Sequence, residues 1–406
     1  MATINVVTSH FTPEITAAAH RMDALVDALA VNHSVNVFAL TEIGKPAAEK
    51  TIREAENVTV HYLDLPQYKK SSLLFRTFYE IFYSIKLARI ASRTECDVTL
   101  VTSPFMFLIP AVILSGGSSS KIADVRDLTW RYVPDKFIIH RAFRYLFTRM
   151  IERFLPKYDH ITVTNPSEKK WISENTRVSA DRITILSNGI SSHKFEKLVK
   201  MKYASRVSPF TITYVGNIGN GQNLRSLISV AGQMKDIKLV LIGNGNDYEP
   251  FKKLVRKKRF TNIHFTGKLD WEKVLPYYRQ TSVLFARLDD NYRSAIPSKL
   301  FEYLSTGLPV IYCGEGEAAR LLRQFKQTII LKSNDEAGLK RAIKKVRTYG
   351  SELNFENREH IHRKYIRELI NMKIDDVIAG VMGVEIPERI LVPLSSQDRE
   401  MALSVS

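Results

Sequence analysis

The sequence predicts two doubly wound α/β domains in tandem. Short runs rich in Val, Ile and Thr alternate with longer amphipathic stretches along most of the chain. The short runs are nearly continuously apolar, as strands of a parallel sheet covered on both faces must be. The alternation stops once near the middle and then resumes.

Ile4–Thr8 opens the first series. A helix is expected over Thr16–Ala30, where Ala18, Met22, Leu25 and Leu29 recur at helical spacing. Val35–Leu40, Val58–Leu63, Val98–Thr102, Lys121–Val125, His160–Thr164 and Arg182–Leu186 continue the strands. Ser187-Asn188-Gly189 is a turn signal, and Ile190–Pro209 is polar, lysine-rich and aperiodic, which reads as a linker. The second series runs through Phe210–Val215, Lys238–Ile242, Asn262–Phe265, Ser282–Phe285, Pro309–Tyr312 and Thr328–Leu331. Asn354–Ala379 reads as a charged amphipathic helix or helix pair. The expected boundaries are residues 1–188, a linker at 189–209, a second domain at 210–355, a helix at 356–380 packing back toward the first domain, and a tail at 381–406. Open α/β sheets bind ligands at the carboxyl ends of their strands, so a substrate cleft between the two domains is expected.

Composition narrows the class. With 45% hydrophobic and 25% charged residues, the 406-residue chain reads as globular rather than disordered. The 59 basic against 42 acidic residues leave a net charge of +17, which calls for an anionic partner: nucleic acid, an acidic membrane surface or a phosphorylated substrate. Two cysteines, Cys96 and Cys313, make neither a disulfide scaffold nor a cysteine zinc site, and fit a reducing compartment. The longest apolar run, Phe105–Leu114, is about half the ~20 residues of a spanning helix. The first residues lack a basic region, so no signal peptide is expected. A secreted, disulfide-rich or integral membrane protein is thereby disfavoured.

Ile296 to Ile311 is the most informative segment. Pro297-Ser298 reads as a helix start with Ser298 as N-cap, and Gly307 as its stop. Lys299 and Glu302, three apart, share one face of that short helix. Amides and a positive dipole end suit a phosphate, Lys299 adds a cation, and Glu302 is placed to accept from ribose hydroxyls. An ordinary surface ion pair is the alternative. Tyr214 to Leu224 runs from a strand through Gly216, Gly219 and Gly221 into a helix, a loop that lets backbone approach a diphosphate. Gly243 and Gly245 form a second glycine pair at a strand end. In the first half, Arg126-Asp127 and Ser103 each follow a strand, on the edge expected to face the cleft; a structural ion pair is the alternative for Arg126-Asp127.

Basic residues concentrate in Lys69–Arg93 and in Lys136–Lys157, interleaved with aromatic and aliphatic side chains. Such helices suit an anionic membrane interface, or bury the apolar face in a core behind a solvated basic back. No metal-binding histidine pair on a helix, nucleophile elbow or Cys/His pattern is present, and the loop pair Asp289-Asp290 suggests a metal-bound diphosphate site or, more simply, a solvated pair.

Taken in order, the motifs resemble the retaining glycosyltransferases of family 4, which have the GT-B architecture of two Rossmann-like domains. The resemblance covers about residues 2–375 and rests on Phe11-Thr12-Pro13-Glu14, Ser187-Asn188-Gly189-Ile190, Tyr214-Val215-Gly216-Asn217, and Pro297-Ser298-Lys299-Leu300-Phe301-Glu302-Tyr303-Leu304 with Gly307, Pro309 and Val310. Val125-Arg126-Asp127 and Pro297-Ser298-Lys299 are similar to transferases of bacterial O-antigen and capsule assembly. The family's carboxylate pair is met at Glu302, while its first position holds Ser294. Asn217 and Gln222 stand where the family commonly has Arg and Lys, and no histidine lies near Ser103. Lys299, with Arg287 or Lys268, is then expected to supply the positive charge.

The resemblance implies a nucleoside-diphosphate sugar donor, a UDP-sugar by preference, held by Gly216, Asn217, Gly219, Gln222, Gly243, Ser294, Ser298, Lys299 and Glu302. Lys299, Glu302 and Asp127 are implied as catalytic, and His10, Ser103, Arg126 and Asp127 as the acceptor side. No metal and no further cofactor are implied. The acceptor would be lipid-diphosphate-linked or a saccharide, the place cytoplasmic and peripheral at the membrane's cytoplasmic face, and the product a bacterial surface polysaccharide. A sugar-nucleotide epimerase of the same fold and a basic nucleic-acid-binding protein are the rival classes; no nucleic-acid module is recognisable.

Overall fold

A computed structural model describes residues 1–14, 16–42, 57–65, 73–103, 105–132, 138–204, 207–349 and 353–384. The chain divides into two compact units: Met1–Asn188 together with the helices after Arg367, and Gly189–Ile366.

Unit 1 contains β1 (Thr3–Thr8), α1 (Ala17–Ala30), β2 (Ser34–Glu42), β3 (Val58–Leu65), α2 (Leu73–Ala91), β4 (Val98–Thr102), α3 (Leu108–Leu114), β5 (Ser120–Val125), α4 (Ile138–Phe154), β6 (His160–Val163), α5 (Pro166–Asn175) and β7 (Ile183–Ile185). The seven strands form one sheet in the order β3-β2-β1-β4-β5-β6-β7, every pairing parallel. Alternate side chains leave opposite faces of a strand. Val7, Phe38, Val101 and Val125 therefore pack with Tyr83, Leu87 and Ile151 of α2 and α4. Ile4, Val6, Val37 and Leu100 pack on the other face with Met22, Leu25 and Leu29 of α1. The Thr16 side chain caps α1 by accepting from the Ala19 amide at 3.2 Å. α5 starts on Asn165, whose side chain accepts from the Glu168 amide, while Glu168 turns back to accept from the Thr164 amide at 2.9 Å.

Unit 2 contains α6 (Ser192–Lys200), β8 (Phe210–Val215), α7 (Arg225–Gln233), β9 (Ile237–Ile242), α8 (Tyr248–Lys257), β10 (Ile263–Gly267), α9 (Trp271–Arg279), β11 (Val283–Arg287), α10 (Lys299–Thr306), β12 (Val310–Cys313), α11 (Glu317–Leu322), β13 (Thr328–Leu331), α12 (Glu336–Tyr349) and α13 (Phe355–Lys364). Its six strands are parallel in the order β10-β9-β8-β11-β12-β13. The order reverses between β8 and β11, which opens a crevice at their carboxyl ends.

Two sequence expectations need correction. The span 189–209 is not an aperiodic linker: it holds α6, capped by Ser191, with Phe195 and Leu198 buried beside the core under α10. Only two of its nine residues are buried, so its polar composition hid the helix. The stretch 356–380 does return to the first domain, but only with its second half, and it is not one helix. α13 stays in unit 2, where the Arg358 guanidinium donates to the Thr306 carbonyl at 2.6 Å and satisfies the end of α10. The chain then enters unit 1 as α14 (Arg367–Asn371) and α15 (Lys373–Met382), whose Ile370, Ile374 and Ile378 join the face covered by α1. Asn32 of the α1 exit donates to Asp375 at 2.7 Å. Of the expected tail, only residues up to 384 are described.

Candidate functional site

The crevice of unit 2 gathers most of the donor-side residues. β8 leaves the sheet at Gly216, with φ +132°, and β9 leaves at Gly243, with φ +139°. The two turns touch: a Cβ on Gly243 would lie 1.9 Å from the Gly216 carbonyl oxygen. Gly243 is therefore required by loop-to-loop contact, and it is buried. The amides of Gly216, Ile218 and Gln222 are spent on the carbonyls of Ile242, Asn244 and Gly219. Among the described residues, the loop amides left for a ligand are those of Asn217, Gly219, Asn220 and Gly221. Of the loop residues expected to hold the donor, Gly216 and Gln222 therefore have no amide to offer it. Asn217 and Gln222, standing where cations were sought, bond to each other at 3.0 Å. Asp289 braces the loop from below, its amide donating to Gly221 at 2.8 Å.

α10 enters this crevice with Lys299 as its first residue. Lys299 Nζ donates to the Tyr214 hydroxyl at 2.8 Å and sits 4.1 Å from that ring's centre. A Cβ on Gly216 would approach Nζ to 2.6 Å, so the glycine makes room for the cation. Burial lowers the ammonium to about 7, against the opposing pull of Glu302. Ser298 is exposed, has helical dihedrals and makes no side-chain cap, so its expected N-cap role is not realised. The Leu300 and Phe301 amides already bind the Pro297 and Ser298 carbonyls, so the helix offers a ligand its lysine more than those two amides. Gly307 does end α10 in the left-handed region, at φ +76°.

One turn along, Glu302 Oε1 accepts from the Tyr278 hydroxyl at 2.5 Å, and Oε2 lies 4.0 Å from Lys194 Nζ of α6. Burial, then the Glu302 charge, push the Tyr278 phenol well up, so it serves as a neutral donor. Ser294 is half-buried in the turn before α10. Arg287 is not a free cation for the crevice: it is 3% exposed, with its guanidinium on Ser226 and Asn334. Lys268 is exposed after β10, beyond β9 from the loop. Tyr278 and Lys194 were missed by the sequence reading, and Tyr214 entered it only as part of a motif; each lies in an ordinary strand or helix, and only the folded chain brings them to α10.

Unit 1 carries a separate polar cluster at the carboxyl ends of β4, β5 and β6. Its buried centre, Asp124, accepts from Arg21 at 3.1 Å, Thr162 at 2.8 Å and Thr102 at 3.1 Å. Burial favours the neutral acid, yet Arg21, Arg126 and the Thr162 hydroxyl together hold Asp124 below the usual carboxylate range. Arg126 is lowered to about 10 by burial and by Arg21, against Asp124, Asp127 and Glu168. Glu168 moves the other way, raised by burial and by Asp127. Ser103 is buried and accepts from the Arg126 amide at 3.0 Å, so its hydroxyl fixes the next loop instead of standing open to an acceptor. Asp127 is half-buried. His10, half-buried, pairs with Glu14 at 2.7 Å and meets Phe105 edge-on. No group of three or more His, Cys, Asp or Glu among the described residues is arranged to hold a metal ion. Asp289 turns its carboxylate onto Asn291, and Asp290 accepts from Ser333.

Residues 18–194 match the family described as glycosyltransferase family 4, and residues 196–363 match the glycosyl transferases group 1 family. The chain is built from two glycosyltransferase domains. An uncharacterised glycosyltransferase of Methanocaldococcus jannaschii is 24% identical over 214 residues, 50% of this chain and 53% of the relative. The match thus spans about half the length of that curated relative. Sucrose-phosphate synthase of Thermosynechococcus elongatus superposes with a TM-score of 0.74 at 14% identity, over 94% of this chain and 100% of that one. HepE of Anabaena, solved with UDP and glucose, gives 0.64 at 13% identity over 93% and 100%. These likenesses establish the fold, GT-B.

Proposed function

We propose that this protein is a retaining glycosyltransferase that moves a hexose from a nucleoside-diphosphate donor, a UDP-sugar by preference, to a lipid-linked or saccharide acceptor in bacterial surface polysaccharide assembly. One observation carries the reading: Lys299 and Glu302 stand on one face of α10 beside the Gly216 turn, at the crevice where the strand order of unit 2 reverses. Glu302, oriented by Tyr278, accepts from the donor ribose. Lys299 and the amides of Asn217, Gly219, Asn220 and Gly221 take the diphosphate. Negative charge grows on the leaving diphosphate as the glycosidic bond breaks, so a cation there stabilises the transition state more than the bound donor. The HepE complex with UDP and glucose supports a nucleotide donor for this fold. Asp127 and Arg126 are the proposed acceptor-side groups in unit 1. The charge stabilisation described here rests on protein groups, so no metal is assigned a role.

The acceptor class draws support from α2 and α4. α2 buries Tyr83, Leu87 and Ala88 but leaves Phe78 66%, Ile81 36%, Phe82 51% and Ile85 37% exposed, with Lys86, Arg89 and Arg93 exposed beside them. α4 exposes Tyr145 and Leu146 with Arg141, Arg149 and Arg153. A core helix with a solvated back would not expose such a stripe; basic residues flanking it suit an anionic membrane interface. Lys69–Ser72 and Lys136–Phe137 lie outside the described residues. No described helix is long and apolar enough to cross a membrane, which leaves surface attachment as the proposed mode.

The test is calorimetric titration with a panel of nucleotide sugars, followed by transfer assays with the donor that binds. Binding together with transfer that keeps the anomeric configuration supports the reading. Donor turnover without any acceptor points to an epimerase, and failure of every nucleotide sugar to bind overturns it. Liposome co-sedimentation checks the membrane proposal: binding to anionic but not zwitterionic vesicles, weakened by salt and by Arg141, Arg149 and Arg153→Gln, is expected.

A further inference from the structure

Tyr214 joins three parts of the unit 2 crevice through one hydroxyl. It accepts from Lys299 Nζ at 2.8 Å and donates its single proton to the Asn217 carbonyl in the glycine loop. Its ring lies under the same ammonium, 4.1 Å from Nζ, and the residue is fully buried. A phenol has one proton to give, and Asn217 takes it, so toward Lys299 the oxygen only accepts. An acceptor favours the charged lysine over the neutral amine. The next residue along the strand is fixed from the helix side, where the Tyr303 hydroxyl accepts from the Val215 amide at 2.7 Å. The other titratable groups about Lys299 are Glu302, one turn along α10, with Tyr278 of α9 and Lys194 of α6 on its two oxygens.

We propose that Tyr214 is a positioning residue: its hydroxyl holds the Lys299 ammonium at the mouth of the glycine loop, and so sets the pH range over which that cation is available to a diphosphate. The inference rests on the donor-site reading above and goes beyond it by assigning the control of Lys299 to a buried residue that touches no substrate. Tyr214→Phe keeps the ring and the cation–π contact and removes only the hydroxyl.

Two measurements on the full chain test it. Competitive acetylation across pH, read at Lys299 by mass spectrometry, follows the appearance of its neutral amine without any ligand. For the parent a midpoint of about 7 is expected, falling by about one unit or more in Tyr214→Phe. Titration with pyrophosphate and with UDP, GDP and ADP at neutral pH gives the second readout. Tyr214→Phe should weaken the nucleotide that binds best by about fivefold or more, yet change affinity less than about twofold in a Lys299→Gln background. An unmoved acetylation midpoint, or equal affinity losses in both backgrounds, overturns the proposal. If none of the four ligands binds the parent, the donor-site reading fails and the acetylation midpoint alone decides the role of Tyr214.

Discussion

Replacing Gly243 by alanine would place a methyl carbon 1.9 Å from the Gly216 carbonyl oxygen, with backbone on both sides of the contact. Two costs add. At φ +139° an L-residue is strained by about 1–3 kcal/mol. Forcing an extra carbon into a packed site costs a further ~1–3 kcal/mol, because no side chain can swing aside. The sum is about 2–6 kcal/mol, and at roughly 2–4 °C per kcal/mol for a domain of this size a central loss lowers Tm by about 8–16 °C. Gly216→Ala is the control. Its φ of +132° carries the same strain, but its Cβ meets Lys299 Nζ at 2.6 Å, the far end of a flexible chain that can move away. It should lose less stability than Gly243→Ala and, by displacing Lys299 from Tyr214, lose more diphosphate affinity. Scanning calorimetry and titration with UDP on both variants decide the matter. A Gly243→Ala melting point within about 2 °C of the parent would falsify the close approach of the two loops.

Glu302→Ala is expected to weaken donor binding by at least about tenfold, since it loses charged hydrogen bonds to the ribose, and to cost about 1–3 kcal/mol of stability because the buried Tyr278 hydroxyl loses its acceptor; unchanged donor affinity by calorimetry removes Glu302 from the site. Arg21→Gln leaves the Asp124 carboxylate buried without its cation, an expected loss of about 3–5 kcal/mol at pH 7 by urea denaturation. That loss should shrink as pH falls, because the stranded carboxylate can then protonate, whereas an equal loss in acid would show that the ion pair is not its cause. In the parent, the depressed Asp124 pKa contributes stability above the unfolded carboxylate value, lost as pH falls through the folded one. Transfer should survive EDTA; complete loss restored by magnesium would make Asp289 and Asp290 candidates for a metal-bound diphosphate site.

The strands were legible because a parallel sheet covered on both sides needs apolar runs such as Val98–Thr102, and their Val and Thr content separates them from an apolar helical run such as Leu108–Leu114. The crevice was legible in part. Lys299, Glu302 and the two glycine turns carry local signals, since positive φ and helix spacing are properties of neighbouring residues. What holds them is not local. Tyr278 reaches Glu302 across 24 residues, and Tyr214 reaches Lys299 across 85. Arg21 lies on an amphipathic helix where any arginine reads as solvated, and only the fold carries it to Asp124, 103 residues on. α6 escaped notice for the opposite reason: one face of two buried residues does not make a period.

The chain leaves unit 1 after Asn188 and re-enters it after Ile366, so unit 2 is an insertion within unit 1. Ile190 and Ile366 pair as parallel neighbours, binding the outgoing and returning segments together. Synthesis therefore finishes the two units in the reverse of their starting order. The described part of unit 2 is contiguous and ends at Ile366, whereas Ile4, Val6 and Leu29 wait for Ile370, Ile374 and Ile378. A nascent chain halted before Arg367 would hold the described part of unit 2 and a first unit whose α1-covered face is still partly open, an aggregation-prone surface that α14 and α15 close.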